Sequence, residues 1–170
     1  MARAVHGGEP VRFSAALLVL SDRAASGQRE DGCLPVMKER LGPAYDIVEE
    51  AVLADDAGEL QARLIELCDT GKAALVLTSG GTGLSPRDRT PQATAAILDY
   101  EVPGIAEAIR ASSGQIIKTA MLSRLMAGVR HRSLIVNLPG SPKAVAESLD
   151  VIVSVLPHAL ELLAGSVVDG

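Results

Sequence analysis

The chain has 170 residues, a formal net charge of −5 at pH 7 and 48% hydrophobic residues, yet it contains only two Tyr, one Phe and no Trp. A chain of this length can bury a substantial core as one domain. With so few aromatic rings that core must consist of Val, Leu, Ile and Ala, which suits a parallel sheet covered by helices. The same shortage and the lack of any basic block argue against nucleic acid as a partner.

The cysteines and the hydropathy of the chain favour a cytoplasmic protein with no membrane partner. Cys33 and Cys68 lie far apart and outside any C-x-x-C pattern, which favours reduced thiols. No stretch approaches the ~18 consecutive apolar residues of a membrane span, and residues 6–10, H-G-G-E-P, stand where a signal peptide would have its apolar core. We expect a flexible leader at residues 1–12 and a single domain at 13–170.

The first half of the chain alternates predicted strands and helices. Residues 14–20 are almost continuously apolar, as in a strand buried on both faces, and residues 45–53 indicate a second strand with a partly exposed edge. Helical spacing follows each strand, over residues 34–41 and from residue 57 to Gly71.

The third predicted strand, residues 74–77, leads into a glycine loop and then into a helix. Gly80, Gly81 and Gly83 allow positive φ, so that consecutive N–H groups can converge on an anion such as a phosphate. Thr90 as N-cap, with proline next, predicts that the helix begins there.

Asp88 stands in this loop between two arginines, which suggests a site for a magnesium-bound phosphate ester. The alternative is an ordinary surface turn in which Asp88 only pairs with Arg87 or Arg89.

The second half continues the alternation. Helical patterns cover residues 93–100 and 103–110, and residues 115–126 are compatible with a helix. A short strand near residue 129 turns into a buried strand at 133–138, and Ser141-Pro142 then starts an amphipathic helix that another helical turn pattern, 157–163, follows.

This alternation predicts a three-layer α/β domain. In such folds ligands collect beyond the carboxyl ends of the strands. We therefore expect four strand ends to meet at one site: residues 21–22, 55–56, 79–88 and 137–141.

Five motifs in this order resemble the molybdopterin-binding family, which includes the Mog and MoaB groups and the gephyrin G domain. They are S-D-R-A-A-S-G at 21–27, T-S-G-G-T-G-L-S-P-R-D-R-T-P-Q-A-T at 78–94, E-V-P-G-I-A-E at 101–107, A-M-L-S-R at 120–124 and L-P-G-S-P-K-A-V at 138–145. The combination is highly specific, whereas each motif alone is not.

The resemblance implies a mostly parallel, five-stranded mixed sheet between helix layers, a homotrimer and an enzyme. The reaction would join ATP and molybdopterin, with Mg²⁺, into adenylylated molybdopterin and pyrophosphate, and would feed a downstream molybdenum insertase. A non-catalytic molybdopterin carrier or scaffold of the MoaB type is the alternative.

The resemblance also implies the site. Asp55 and Asp88 match two essential aspartates, for which holding Mg²⁺ is the expected role, although Asp55 could instead simply cap the following helix. Cys33, Ser79 and Gln92 depart from the family's usual residues. The residues expected to bind molybdopterin or nucleotide are Ser21, Asp22, Ser79, Gly80, Gly81, Thr82, Gly83, Asn137, Pro139, Gly140 and Ser141.

Overall fold

One mixed sheet organises residues 10–166, the part of the chain that the computed structural model describes. Its strands are β1 (Phe13–Leu20), β2 (Tyr45–Leu53), β3 (Leu75–Ser79), β4 (Tyr100–Glu101), β5 (Ala127–Arg130) and β6 (Ser133–Leu138). The spatial order is β2-β1-β3-β6-β5-β4. The first four of these strands run parallel, while β5 and β4 are antiparallel to their neighbours.

Helices cover both faces of this sheet, which confirms the α/β class. They are α1 (Asp22–Ala25), α2 (Cys33–Leu41), α3 (Ala57–Asp69), α4 (Thr90–Ala95), α5 (Pro103–Gly114), α6 (Pro142–Ile152) and α7 (Leu156–Ala164). Leu17 and Leu77 face one layer, built on α2, α5, α6 and α7. Leu18 and Val76 face the other, built on α3 and α4. Alternate residues of each buried strand therefore enter different cores, as the pleat of a strand requires.

The described residues form six strands where five are expected. The additional strand is β4, a two-residue edge that pairs with β5 through Tyr100 and Val129. The helical pattern of residues 93–100 is wrong beyond Ala95, because Asp99 and Val102 donate backbone hydrogen bonds to the carbonyls of β5 instead of continuing the helix.

The expected cap at Thr90 and the alternative role of Asp55 as a cap are both wrong. Thr90 is the first residue of α4 and not its N-cap, because its hydroxyl donates to the carbonyl of Gly80 at 2.9 Å. Asp55 does not cap α3. Its neighbour Asp56 does, by accepting the N–H of Glu59 at 2.9 Å.

The cap expected at Ser141 is confirmed. Ser141 directly precedes Pro142, the first residue of α6, and its hydroxyl oxygen accepts the N–H of Ala144 at 3.2 Å.

Residues 115–126 form only a short 3₁₀ helix, Lys118–Leu122, although their sequence is compatible with a longer helix. Large apolar side chains of this segment, Ile116, Ile117, Met121 and Leu122, remain at least half exposed. Without burial of an apolar face there is little to stabilise a longer helix.

The expected leader lies mostly outside the described residues, which exclude 1–9 and 167–170. The described end of the leader carries Arg12, which pairs with Asp46 at 2.6 Å. The leader and the single domain at 13–170 stay predictions. Among residues 10–166, every helix is too short or too polar to span a bilayer.

Candidate active site

Four strand ends meet around a cavity of about 170 Å³ at the carboxyl edge of the sheet. Seven of the residues singled out from the sequence line it, namely Ser21, Asp55, Ser79, Gly80, Gly81, Asp88 and Gly140. A larger cavity, about 740 Å³, lies at the opposite edge, near Phe13 and Ser133, and none of the expected site residues lines it. The chemistry-bearing side chains therefore mark the smaller cavity as the candidate site.

Asp22 and Asp55 lock the ends of β1 and β2 together. The Asp55 N–H donates to Asp22 Oδ1 at 2.9 Å, and the Asp22 N–H donates to Asp55 Oδ2 at 3.2 Å. Arg87 from the glycine loop pairs with Asp22 Oδ2 at 2.5 Å. The first strand end thus fixes the backbone that carries Asp55 and ties the glycine loop to it.

Burial raises the pKa of Asp55 above its ordinary value, and the negative charges of Asp22 and Asp88 raise it further. The hydrogen bond from the Asp22 N–H and the positive charge of Arg87 act in the opposite direction. Asp55 and Asp88 face the same cavity, so a cation placed between them would relieve their repulsion.

Asp88 is placed by its own loop. The Ser85 N–H donates to Asp88 Oδ2 at 3.2 Å, while the Asp88 N–H donates to the Ser85 carbonyl at 2.8 Å. A Cβ at Gly83 would lie 2.8 Å from Asp88 Oδ2, so a side chain there would displace the carboxylate. Glycine at position 83 thus leaves the Asp88 carboxylate in its place.

The glycine loop presents backbone N–H groups because two glycines adopt φ angles that other residues avoid. Gly80 has φ of +96° and Gly81 has φ of +70°. The Gly80 N–H donates to Leu138 O at 3.1 Å. Contrary to the expectation, this N–H is therefore not free to bind a phosphate. Within residues 10–166 the N–H groups of Gly81, Thr82 and Gly83 donate to no protein acceptor, which leaves them for a ligand.

Ser79 at the end of β3 and Cys33 at the start of α2 both contact the segment that follows β6. The Ser79 hydroxyl donates to Pro139 O at 2.8 Å, and the Cys33 thiol donates to Gly140 O at 3.5 Å. Burial raises the pKa of Cys33, so the thiol stays protonated at neutral pH. Cys33 is therefore a small, buried and uncharged side chain in the lining of the cavity.

Asn137 lies in the core and does not line the cavity. It is fully buried, its amide donates to Thr78 and Thr94 at 3.0 and 3.1 Å, and its Oδ1 accepts the Met126 N–H. These bonds occupy its amide group inside the core. The strand pattern itself contains a signal for this, because Val136 and Leu138 point to the opposite face of β6.

The remaining expected residues do not line the cavity: Asp22, Thr82, Gly83, Pro139 and Ser141. Thr82 is buried, and the hydroxyl of Ser141 caps α6. Ser21 does line the cavity, although its hydroxyl already accepts the Ala24 N–H at 3.2 Å.

Arg124 is a site residue to which the sequence alone gives no role. Its Nη2 donates to Asp88 O at 2.6 Å, its Nε donates to Gly83 O at 2.9 Å, and its backbone N–H donates to Thr82 O at 2.8 Å. Arg124 therefore holds the glycine loop through three main-chain carbonyls. The position of Arg124 in the A-M-L-S-R motif was the available signal.

Comparison with known proteins identifies the family of this chain. Residues 16–158 match the family model described as "Probable molybdopterin binding domain". The chain belongs to this molybdopterin-binding family. The resemblance carried by the sequence motifs is therefore confirmed.

Two curated molybdopterin adenylyltransferases are similar to this molybdopterin-binding domain over most of both chains. The protein from Helicobacter pylori (strain 26695) is 38% identical over 154 residues, which cover 88% of this chain and 87% of the relative. The protein from Escherichia coli K12 is 38% identical over 168 residues, with 90% and 86% covered. The solved structure of the molybdopterin biosynthesis enzyme MoaB from Thermus thermophilus is 43% identical, with a TM-score of 0.85 over 90% of this chain and 97% of that one.

The carboxylates of this molybdopterin-binding domain fit a cation only together with a ligand. Among the described residues no group of three or more His, Cys, Asp or Glu side chains is arranged to hold a metal. Asp55 and Asp88 nevertheless face one cavity. Two carboxylates match the way Mg²⁺ is usually bound, since it takes one or two protein carboxylates and completes its shell with phosphate oxygens and water.

Proposed function

We propose that this chain is a molybdopterin adenylyltransferase of molybdenum cofactor biosynthesis. It transfers AMP from ATP to the terminal phosphate of molybdopterin and releases pyrophosphate. The observation that carries the proposal is the cavity at the carboxyl edge, where Asp55, Asp88 and the glycine loop meet. The 38% identity to enzymes of this name over nearly the whole chain supports it.

The reaction is a substitution at phosphorus. A phosphate oxygen of molybdopterin forms a bond to the α-phosphorus of ATP, the bond from that phosphorus to the bridging oxygen breaks, and pyrophosphate leaves with the electron pair. The attacking phosphate is already ionised at neutral pH, so no aspartate is needed as a general base. The protein has to position two anions and offset their charge.

The cavity and the glycine loop both contribute to that positioning. The free N–H groups of Gly81, Thr82 and Gly83 donate to phosphate oxygens, as backbone N–H clusters do in other phosphate sites. Asp55 and Asp88 are the residues that would hold Mg²⁺. When bound, Mg²⁺ neutralises phosphate charge and orients the nucleotide.

The proposal extends to the setting of the enzyme. We propose that it uses Mg²⁺, assembles as a homotrimer, works in the cytoplasm and passes adenylylated molybdopterin to a molybdenum insertase. The sequence resemblance to the family motivates Mg²⁺, the homotrimer and the insertase, and the cysteines and hydropathy of the chain motivate the cytoplasm.

The activity can be tested with purified protein, molybdopterin and Mg-ATP, by measuring pyrophosphate release and the adenylylated product. Asp88→Asn keeps an oxygen for the Ser85 N–H but removes the charge, so we expect turnover to fall by about a hundred-fold or more while molybdopterin still binds. Asp56→Asn is the matched control, because Asn caps helices as well as Asp does, and it should retain turnover.

Three outcomes separate the possibilities. Product formation that depends on Asp88 supports the enzyme. Molybdopterin binding with no pyrophosphate release in the wild type selects the carrier of the MoaB type. A wild-type protein that binds neither ATP nor molybdopterin contradicts both.

A further inference from the structure

Arg29 stands in the cavity among negative charges. It lies in the loop between α1 and α2 and lines the cavity together with Glu30, Asp31, Asp55 and Asp88. Among the described residues that line the cavity, Arg29 is the one basic side chain against these four acids. A nucleotide triphosphate brings more negative charge into this place, so its binding needs positive charge near the phosphates.

Two charged groups near the cavity have partners other than Arg29. Asp31 accepts the N–H groups of Cys33 and Leu34, the first residues of α2, at 3.0 and 2.9 Å. Arg87, which lies near Asp55, pairs with Asp22. Within residues 10–166 Arg29 itself forms no salt bridge. Its guanidinium group is therefore available for a ligand.

The loop that carries Arg29 is held in place by its backbone. The N–H groups of Gln28 and Arg29 donate to the carbonyl of Arg23 at 2.9 and 3.2 Å, which folds the loop back onto α1. A Cβ at Gly32 would lie 2.8 Å from Cγ of Pro142, so the end of the loop packs tightly against the start of α6. The backbone of Arg29 is thus set beside the cavity before any ligand arrives.

The side chain of Arg29 lines the same cavity as Cys33, Gly80 and Gly81. Its positive charge acts on the Cys33 thiol, which donates to Gly140 O at the end of β6. An anion held by the glycine loop would therefore share this cavity with Arg29.

We propose that Arg29 binds the polyphosphate of the nucleotide and stabilises the pyrophosphate that leaves it. This inference rests on the proposed function and assigns one of its residues. As the bond between the α-phosphorus and the bridging oxygen breaks, negative charge accumulates on the leaving pyrophosphate. The guanidinium group donates hydrogen bonds to those oxygens and offsets that charge, with no proton or covalent bond exchanged.

The test measures binding of inorganic pyrophosphate with Mg²⁺, and of AMP, by titration calorimetry. Arg29→Ala should weaken pyrophosphate binding about ten-fold, which is the loss expected for a charge-assisted hydrogen bond, and change AMP binding by less than about two-fold. Arg29→Lys should recover part of the loss. Arg23→Ala, an exposed arginine on α1 that does not line the cavity, is the matched control and should bind like the wild type.

Steady-state kinetics add a second readout. Arg29→Ala should raise KM for ATP more than KM for molybdopterin, because the charge that Arg29 offsets lies on the polyphosphate of the nucleotide. Pyrophosphate binding in Arg29→Ala within about two-fold of the wild type overturns the inference. So does an equal loss of AMP and pyrophosphate binding that Arg29→Lys does not relieve.

The calorimetric result can be read separately from the proposed function, although the kinetic readout requires turnover. Pyrophosphate binding is measured without turnover, so it decides the role of Arg29 by itself. Product formation by the wild type decides the proposed function, whatever Arg29 does.

Discussion

Asp55 holds its negative charge where the surroundings oppose it. Burial and the nearby carboxylates of Asp22 and Asp88 raise its pKa above the ordinary value of 3.8. A raised pKa means that the folded protein keeps a proton on Asp55 at pH values where the unfolded chain has released it. The free energy of unfolding therefore falls as pH rises from 3.8 to the folded-state pKa, and this cost persists at neutral pH.

Asp55→Asn should consequently raise the melting temperature of the protein at pH 7. The amide oxygen can still accept the Asp22 N–H, while the unfavourable charge is gone. The difference should disappear below about pH 3.5, where Asp55 is protonated in both the folded and the unfolded chain. Thermal unfolding of both proteins across this range measures it.

Asp56→Asn provides the control for that comparison. It changes the neighbouring residue, which is exposed and caps α3, and its melting temperature should follow that of the wild type at each pH. A lower melting temperature of Asp55→Asn at pH 7 would show that the carboxylate stabilises the fold, contrary to the argument from burial.

At the scale of elements, the glycine loop depends on backbone conformation. Gly81 has φ of +70°, and a Cβ there would lie 2.3 Å from Thr90 Oγ1. Gly81→Ala should therefore lower the free energy of unfolding by about 2 kcal/mol, because a side chain strains this backbone and displaces the Thr90 hydroxyl from Gly80 O. Chemical denaturation measures the change.

Gly104→Ala is the matched control for this loop. Gly104 lies in the first turn of α5, and a Cβ there meets no atom within 4 Å. The substitution should stabilise the protein by up to about 1 kcal/mol, because Ala favours a helix more than Gly does. If both substitutions changed the free energy of unfolding equally, the φ angle and the room for a Cβ would not explain the role of Gly81.

Arg124 connects the glycine loop to the segment before β5, and it is a positioning residue. Arg124→Ala removes the two side-chain hydrogen bonds to Gly83 O and Asp88 O. We expect kcat to fall about ten-fold with a smaller change in KM for ATP, because Asp88 is less well placed for the reaction. Arg124→Lys should restore part of kcat, and Arg132→Ala, in the exposed turn after β5, should change neither constant.

At the scale of the whole molecule, the proposed homotrimer has a simple signature. Light scattering should give a mass three times the 17.6 kDa of one chain. The exposed apolar side chains of Ile116, Ile117 and Met121 are at least 57% accessible in the single chain, which suits contact with another surface. A mass of one chain at micromolar concentration would contradict the trimer.

The sequence predicts most of the elements because their signals are local. Apolar runs mark β1, β3 and β6, and the Ser141-Pro142 pair marks the start of α6. The two-residue β4 has no such signal, since Tyr100 and Glu101 become a strand only by pairing with β5. Thr90 shows the same limit, because a distant carbonyl takes the hydroxyl that local preference assigns to a cap.

The amino-acid sequence by itself determined the family and the motifs that carry the glycines and the two aspartates, since residue types and spacing are properties of the chain. Only the tertiary structure decided how these side chains are used. It brings Asp55 and Asp88 to one cavity, turns Asn137 into the core and sets Arg124 behind the loop. Hydrogen-bond partners distant in sequence make these choices, and no local pattern encodes them.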